Sequence, residues 1–217
     1  MTEWPATAAE AIAVQEELRE QVEVADVEEP ARYVAGLDVA YDGDRLAAAV
    51  VVVDATTLAE VDRAVVVGET AFPYIPGLFA FREVPGLLAA LEQLTVRPGL
   101  LVCDGQGLAH PRRFGLACHL GVLTGIPSIG AAKTTFVGRH SELGQARGST
   151  ADLVDGDEVV GAAVRTQHGV KPVYVSVGHR ATLATAVAQV LQLAPKYRLP
   201  ETTRLADRAC RDGLRGG

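Results

Sequence analysis

Cysteine is scarce in this chain. Only Cys103, Cys118 and Cys210 are present. An odd number at such wide spacing excludes a disulfide framework and offers no paired thiols for zinc. A reducing, cytoplasmic setting is therefore expected. Long apolar runs are lacking as well. The longest, Leu46 to Val53, falls far short of the roughly 20 residues that span a bilayer. The acidic N-terminus lacks the basic-then-apolar order of a targeting leader, so neither export nor membrane insertion is expected. Aromatic side chains are few, with 5 Phe, 5 Tyr and 1 Trp, yet 48% hydrophobic residues among 217 leave ample material for a buried core. A mean hydropathy of +0.17 excludes a disordered chain. Net positive charge is also lacking. The formal balance is −7, which taken alone argues against a partner as acidic as nucleic acid.

That total conceals an asymmetry. Residues 1–96 carry 5 basic and 18 acidic side chains, whereas 97–148 carry 6 basic and 2 acidic, and 165–217 carry 9 basic and 3 acidic. The two basic stretches are either scattered, solvated Arg or a local patch able to hold an anion whatever the total.

Along the chain, residues 7–24 read as an amphipathic helix with Thr7 as N-cap and a Glu-rich wet face, serving packing or solubility. Strand-like segments follow at 32–41, 45–54 and 58–68, the first two joined by an Asp42-Gly43 turn. Residues 71–81 hold two Pro and a Gly and read as a loop, and 84–94 as a helix. Then come a short buried strand at 100–103, a helix at 115–124, an extended piece at 127–129 and a loop over 139–150. Strands at 159–165 and 172–177, a helix at 183–193 and a basic, polar tail from Pro195 complete the chain. A meander followed by alternating helix and strand predicts a single α/β domain with a mixed sheet.

Three constellations carry chemistry. Asp38 interrupts the apolar series Tyr33–Tyr41, and Asp104 ends the apolar run Leu100–Cys103. A buried, unpaired carboxylate is costly, and the ends of strands in an α/β sheet are where ligands bind. Either each acid caps a turn separately, or the two meet across adjacent strands. A meeting pair repels unless a cation lies between them, and hard oxygen donors favour Mg²⁺ or Mn²⁺ over zinc. Second, Pro73-Tyr74-Ile75-Pro76-Gly77 is a loop stiffened by two Pro. Its Tyr either folds back as a plug for the core or projects as a wedge between stacked bases. Phe81-Arg82-Glu83 follows and brings a third carboxylate. Third, Asp104-Gly105-Gln106-Gly107, then His110 with Arg112 and Arg113, and Lys133 after Ser128–Ala132, supply close backbone approach and phosphate-binding chemistry. The GxxxxGK[ST] spacing of a phosphate loop is absent. These residues alone describe a metal-dependent enzyme acting on phosphate esters.

The ordered series of motifs resembles the endonuclease V family. The resemblance rests on Gly36-Leu37-Asp38-Val39-Ala40-Tyr41, Pro73–Leu78 with Phe81-Arg82-Glu83, Asp104-Gly105 with Ala109-His110-Pro111-Arg112, and Ile129–Lys133. Val170–Ser176 with Gly178-His179-Arg180, and Tyr197–Glu201 with Thr203-Arg204, extend it, so that it runs from about residue 32 to 208. It implies an RNase H-like single domain: an acidic helix at 7–24, a core of about 32–194 with a mixed sheet flanked by helices, and a basic tail at 195–217. It also implies Mg²⁺-dependent nicking of DNA at deoxyinosine, at the second phosphodiester bond 3′ to the lesion, with Mn²⁺ as substitute.

Carried onto this sequence, Asp38, Asp104 and Glu83 become metal ligands, with Asp207 as a further candidate. His110 and Lys133 become active-site residues near the phosphates. Tyr74, flanked by Pro73, Ile75 and Pro76, fills the gap left by the displaced base, and Gly77, Gly105, Gly130 and Ala132 line the base pocket. Gln106 departs from the His or Asn common after Asp-Gly, and Val177 from the usual Pro. The implied partner is deoxyinosine DNA, acted on by a cytoplasmic monomer without membrane attachment. Alternatives are an RNase H-like nuclease preferring inosine in RNA or branched DNA, and a non-catalytic lesion-binding module.

Overall fold

The computed structural model describes residues 4–25, 30–70 and 72–216. One eight-stranded mixed sheet runs through it. Strands β1 (Tyr33–Asp42), β2 (Arg45–Asp54) and β3 (Glu60–Glu69) form an antiparallel meander. Beside β1 lie, in parallel, β4 (Leu100–Cys103) and β5 (Ser128–Ala132). The far side is antiparallel again, through β6 (Thr150–Asp155), β7 (Glu158–Val164) and β8 (Val173–His179), giving the order β3-β2-β1-β4-β5-β8-β7-β6. The helices are α1 (Ala8–Arg19), α2 (Ala80–Glu92), α3 (Leu116–Thr124), α4 (Leu183–Leu193) and α5 (Glu201–Arg215).

The apolar run of β2 is buried on both faces because helices cover both. Leu46, Ala48, Val50 and Val52 pack with Val84 and Leu87 of α2. The alternate residues Ala47, Ala49 and Val51 pack with Ala206, Ala209 and Cys210 of α5. Successive strand residues point to opposite faces, so a strand sandwiched between helices reads as a continuous hydrophobic string.

Helix α5 replaces the expected polar tail. Its inward face is made of Thr202, Thr203, Ala206, Ala209 and Cys210, small residues that carry little apolar signal while allowing close approach to the sheet. Strand β6 occupies residues for which no element is expected from the sequence, and the loop expected to 81 gives way to α2 at Ala80. Helix α1 is shorter than expected, ending at Arg19, and starts where expected: Thr7 and Glu10 form a capping box.

Helix α2 tolerates Pro85 in its interior. Proline removes the N–H that would bond the carbonyl of Phe81. That carbonyl instead accepts from the indole Nε1 of Trp4 at 3.0 Å, so the N-terminal segment repairs the helix.

Candidate active site

The parallel register of β1 and β4 pairs Leu37 with Cys103, which sets the next residues, Asp38 and Asp104, side by side. The Asp104 backbone N–H donates to Leu37 O at 3.0 Å and locks that alignment. Glu83, on the first turn of α2, is 4% exposed and accepts from the Tyr41 hydroxyl at 3.2 Å. Lys133, just past β5, places its ammonium on the Asp104 carboxylate. Four elements thus deliver three acids and one base to one region of the sheet.

The carboxylates strain against one another electrostatically. Burial, then repulsion from Asp104, pushes Asp38 up to about 7, against the opposing pull of Lys133 and the Val39 N–H. Burial and the Asp38 charge raise Glu83 well above the carboxylate range, although Tyr41 donates to it. Partial burial acts to lower Lys133, but its hydrogen bond to Asp104 and the charges of Asp104, Asp38 and Asp207 outweigh this and raise it. Asp207 of α5 contributes to the field at Asp38 while pairing with Arg211 at 2.8 Å. Helix α5 also touches Asp38 directly, through a Cys210 Sγ bond to the Asp38 carbonyl at 2.9 Å.

Among the described residues no group of three or more His, Cys, Asp or Glu stands in metal-binding geometry. The donor set nevertheless suits a divalent cation. The charge of Asp104 raises Asp38, and the charges of Asp38 and Asp104 raise Glu83, a cost that added positive charge relieves, and all three acids offer hard oxygens. Asp104 meets part of that demand through Lys133.

A cavity of about 410 Å³ opens beside the acids, lined by Glu83, Asp104, Gly105, Ala132 and Lys133 on one side and by Tyr74, Pro76 and Gly77 on another. Tyr74 does not plug the core. It is 69% exposed, with its ring edge-on to Phe79 at 5.7 Å. The loop is anchored instead by Phe72 and Ile75, which pack with Leu78 and Phe81, while Pro73 and Pro76 lie exposed. Gly77 turns the loop with φ +80°, a conformation that a side chain would strain, and a Cβ there would meet the Arg112 guanidinium at 2.8 Å.

One residue sits differently from what the resemblance implies, and a second lines the cavity as implied but has its ring fully bonded. Gly130 does not border the cavity. It is buried in β5, where a Cβ would meet Gly105 O at 2.4 Å, so its bareness lets the Asp104–Gly107 loop press against the sheet. His110 is buried with both ring nitrogens engaged: Nδ1 accepts from the Arg112 N–H at 3.2 Å and Nε2 lies 3.1 Å from Gly77 O. Burial, then the Arg112 charge, pushes it down to about 4. The neutral ring with the proton on Nε2 satisfies both contacts, and in this arrangement His110 braces the loop.

Two residues of the site have no signal in the sequence: Tyr41 as the partner of Glu83, and Gln15 as part of the cavity wall. Tyr41 sits inside one of the family-like motifs, but nothing local links it to Glu83. Gln15, the one buried polar residue of α1, belongs to a helix whose pattern reads as solvated. Arg198 supports the site from behind, donating to Lys133 O at 2.6 Å and Pro172 O at 2.7 Å. Gln106 ties its loop to the segment after β5 through a 2.8 Å bond to Thr134 O.

A family model described as Endonuclease V matches residues 16–208. An endonuclease V from Streptomyces coelicolor is 59% identical over 216 residues, covering 98% of this chain and 93% of that protein. The crystal structure of an endonuclease V from Streptomyces avermitilis superposes with a TM-score of 0.96 at 56% identity, covering 100% of this chain and 96% of the other. Endonuclease V of Ciona intestinalis, in complex with a 24mer DNA containing an inosine followed by a ribo-adenosine, superposes with a TM-score of 0.83 at 28% identity. That match covers 96% of this chain and 98% of the other. The fold is accordingly the RNase H-like one.

Proposed function

Because the chain belongs to the endonuclease V family, a family of nucleases that hydrolyse phosphodiester bonds, we propose that it nicks DNA at deoxyinosine, cutting the second phosphodiester bond 3′ to the lesion. The observation that carries this reading is the juxtaposition of Asp38, Asp104, Glu83 and Lys133 with a cavity whose rim bears the exposed Tyr74.

The proposed division of labour follows from position. Asp38, Asp104 and Glu83 hold a divalent cation, Mg²⁺ or in its stead Mn²⁺, with Asp207 close enough to add charge. A bound divalent ion supplies charge neutralisation at the scissile phosphate and acidifies water. Lys133 brings a fixed positive charge to the cavity wall to offset negative charge as it builds on the phosphate. Tyr74 enters the base stack, its loop stiffened by Pro73 and Pro76 and anchored by Ile75. Gly77, Gly105 and Ala132 let the backbone come close to the extruded base, and Gly130 holds the Gly105 loop in place. Extrusion costs a few kcal/mol and least where pairing is poor, so a mispaired hypoxanthine is favoured before any contact is made.

No helix among the described residues is long and apolar enough to cross a membrane. The three cysteines are free thiols, which supports a reducing, cytoplasmic setting. The chain acts as a monomer in this reading.

Product mapping tests the proposal. A 5′-labelled duplex with one deoxyinosine should be cut in Mg²⁺ one nucleotide beyond the lesion's 3′ neighbour bond. Faster cutting of a matched riboinosine strand or a flap substrate would redirect the assignment, and lesion binding without cutting in either cation would remove the catalytic role.

A further inference from the structure

Helix α1 reaches into the cavity through one side chain. Gln15 is 1% exposed, and both polar atoms of its carboxamide are engaged. Its Nε2 donates to Gly77 O at 3.0 Å and to Phe114 O at 3.2 Å, while Oε1 accepts from Arg112 Nε at 2.6 Å. Only one orientation of the amide satisfies these partners, because reversal sets oxygen against two carbonyls and the amino group against a guanidinium. Arg112 in turn donates from Nη2 to Gly77 O at 2.6 Å. The carbonyl at the hinge of the Tyr74 loop is thereby held by α1 and by the segment after β4. Gly77 and Phe114 both line the cavity, so one amide spans two of its walls. Burying a polar group in this way is costly unless every partner is met, and solubility or simple packing of α1 asks for none of it.

We infer that Gln15 is a positioning residue for lesion recognition: it fixes the Gly77 hinge and the Arg112 side chain, and so presents Tyr74 at the cavity rim. This rests on the reading of Tyr74 as the residue that enters the base stack.

Two substitutions separate its contacts. Gln15→Glu keeps an acceptor for Arg112 but turns oxygen toward Gly77 and Phe114; Gln15→Met removes all three bonds at similar length. For each, thermal unfolding is measured first. Kd values without divalent cation then follow, for a duplex bearing one deoxyinosine and for its undamaged counterpart at fixed salt. The preference for the lesion, Kd for undamaged DNA divided by Kd for deoxyinosine DNA, should fall about tenfold in Gln15→Glu, the consequence of losing two neutral hydrogen bonds, and at least as far in Gln15→Met, which loses the Arg112 bond as well. The single-turnover nicking rate at saturating DNA should change less than the affinity. In a Tyr74→Ala background the Gln15 effect should vanish, since a missing ring cannot be misplaced. A merely structural role would lower the folded fraction and leave the ratio alone. An unchanged ratio in folded Gln15→Glu, or full additivity with Tyr74→Ala, overturns the inference. If Tyr74→Ala alone leaves the ratio untouched, the wedge reading fails first and the role of Gln15 falls with it. Should Gln15→Met fail to fold, Gln15→Glu decides.

Discussion

Asp38 and Asp104 lie side by side on neighbouring parallel strands, locked by the 3.0 Å bond from the Asp104 N–H to Leu37 O, with the Lys133 ammonium on the Asp104 carboxylate. Removing either acid takes away a hard oxygen donor without emptying the cavity. Asp38→Ala and Asp104→Ala are expected to reduce metal-dependent nicking by at least about 100-fold, beyond the loss typical of residues that only orient a metal ligand. Affinity for deoxyinosine DNA should stay within a few-fold. Nicking at the unaltered rate by either variant, in a gel assay with Mg²⁺, would remove that residue from the metal site.

Tyr41 donates to the buried Glu83 at 3.2 Å, a bond that favours the ionised acid. Tyr41→Phe leaves the carboxyl with less support for its charge, so its pKa should rise further. The acidic limb of the pH–rate profile should therefore shift to higher pH, with kcat lowered about tenfold. A profile that falls in height without moving along the pH axis would show that Tyr41 does not act through Glu83.

His119 packs among Trp4, Phe81 and Phe114, with ring centroids 5.7, 5.0 and 5.2 Å away, and neither ring nitrogen has a hydrogen-bond partner. Burial pushes it down to about 4. The unfolded chain takes up this proton near pH 6.5 and the folded chain only near 4, so stability falls as pH drops through that window, by up to about 3 kcal/mol. His110, also pushed down to about 4, adds in the same direction. His119→Leu should flatten the decline between pH 6.5 and 4 in urea unfolding series. An unaltered slope would show that other groups set the acid sensitivity.

Trp4 supplies the donor that Pro85 denies to Phe81 O. Trp4→Phe should lower stability by about 1–3 kcal/mol, through lost packing and an unpaired carbonyl. Pro85→Ala offers that carbonyl a helical N–H, so the Trp4 substitution should be milder in its presence. Additive effects on unfolding free energy would mean the two are not coupled.

Much of the site is legible along the chain because its acids stand where apolar strands should continue. Asp38 and Asp104 are conspicuous against their neighbours, and Tyr74 is marked by the two prolines around it. What stays hidden has no local signature. Gln15 looks like one more polar residue on a Glu-rich helix, and only the folded chain sets Gly77, Phe114 and Arg112 around it. Gly130 matches a pocket motif, yet packing puts it behind the Gly105 loop. Helix α5 is masked for a related reason: its buried stripe is Thr, Ala and Cys, and its remaining face is rich in Arg and Asp.

Apolar runs and periodicity along the chain determined the meander, the short parallel strands and helix α4, because a continuous apolar run or burial at period 3.6 is a local property. Residue chemistry determined that acids, a lysine and a stiff aromatic loop were available. Tertiary structure alone decided which of them meet. The β1–β4 register made a pair of two acids 66 positions apart in the chain. The sheet order brought Lys133 to them, and the covering helices supplied Glu83 and Gln15. Charge interactions of this kind depend on distance in space, and no pattern along a sequence encodes that distance.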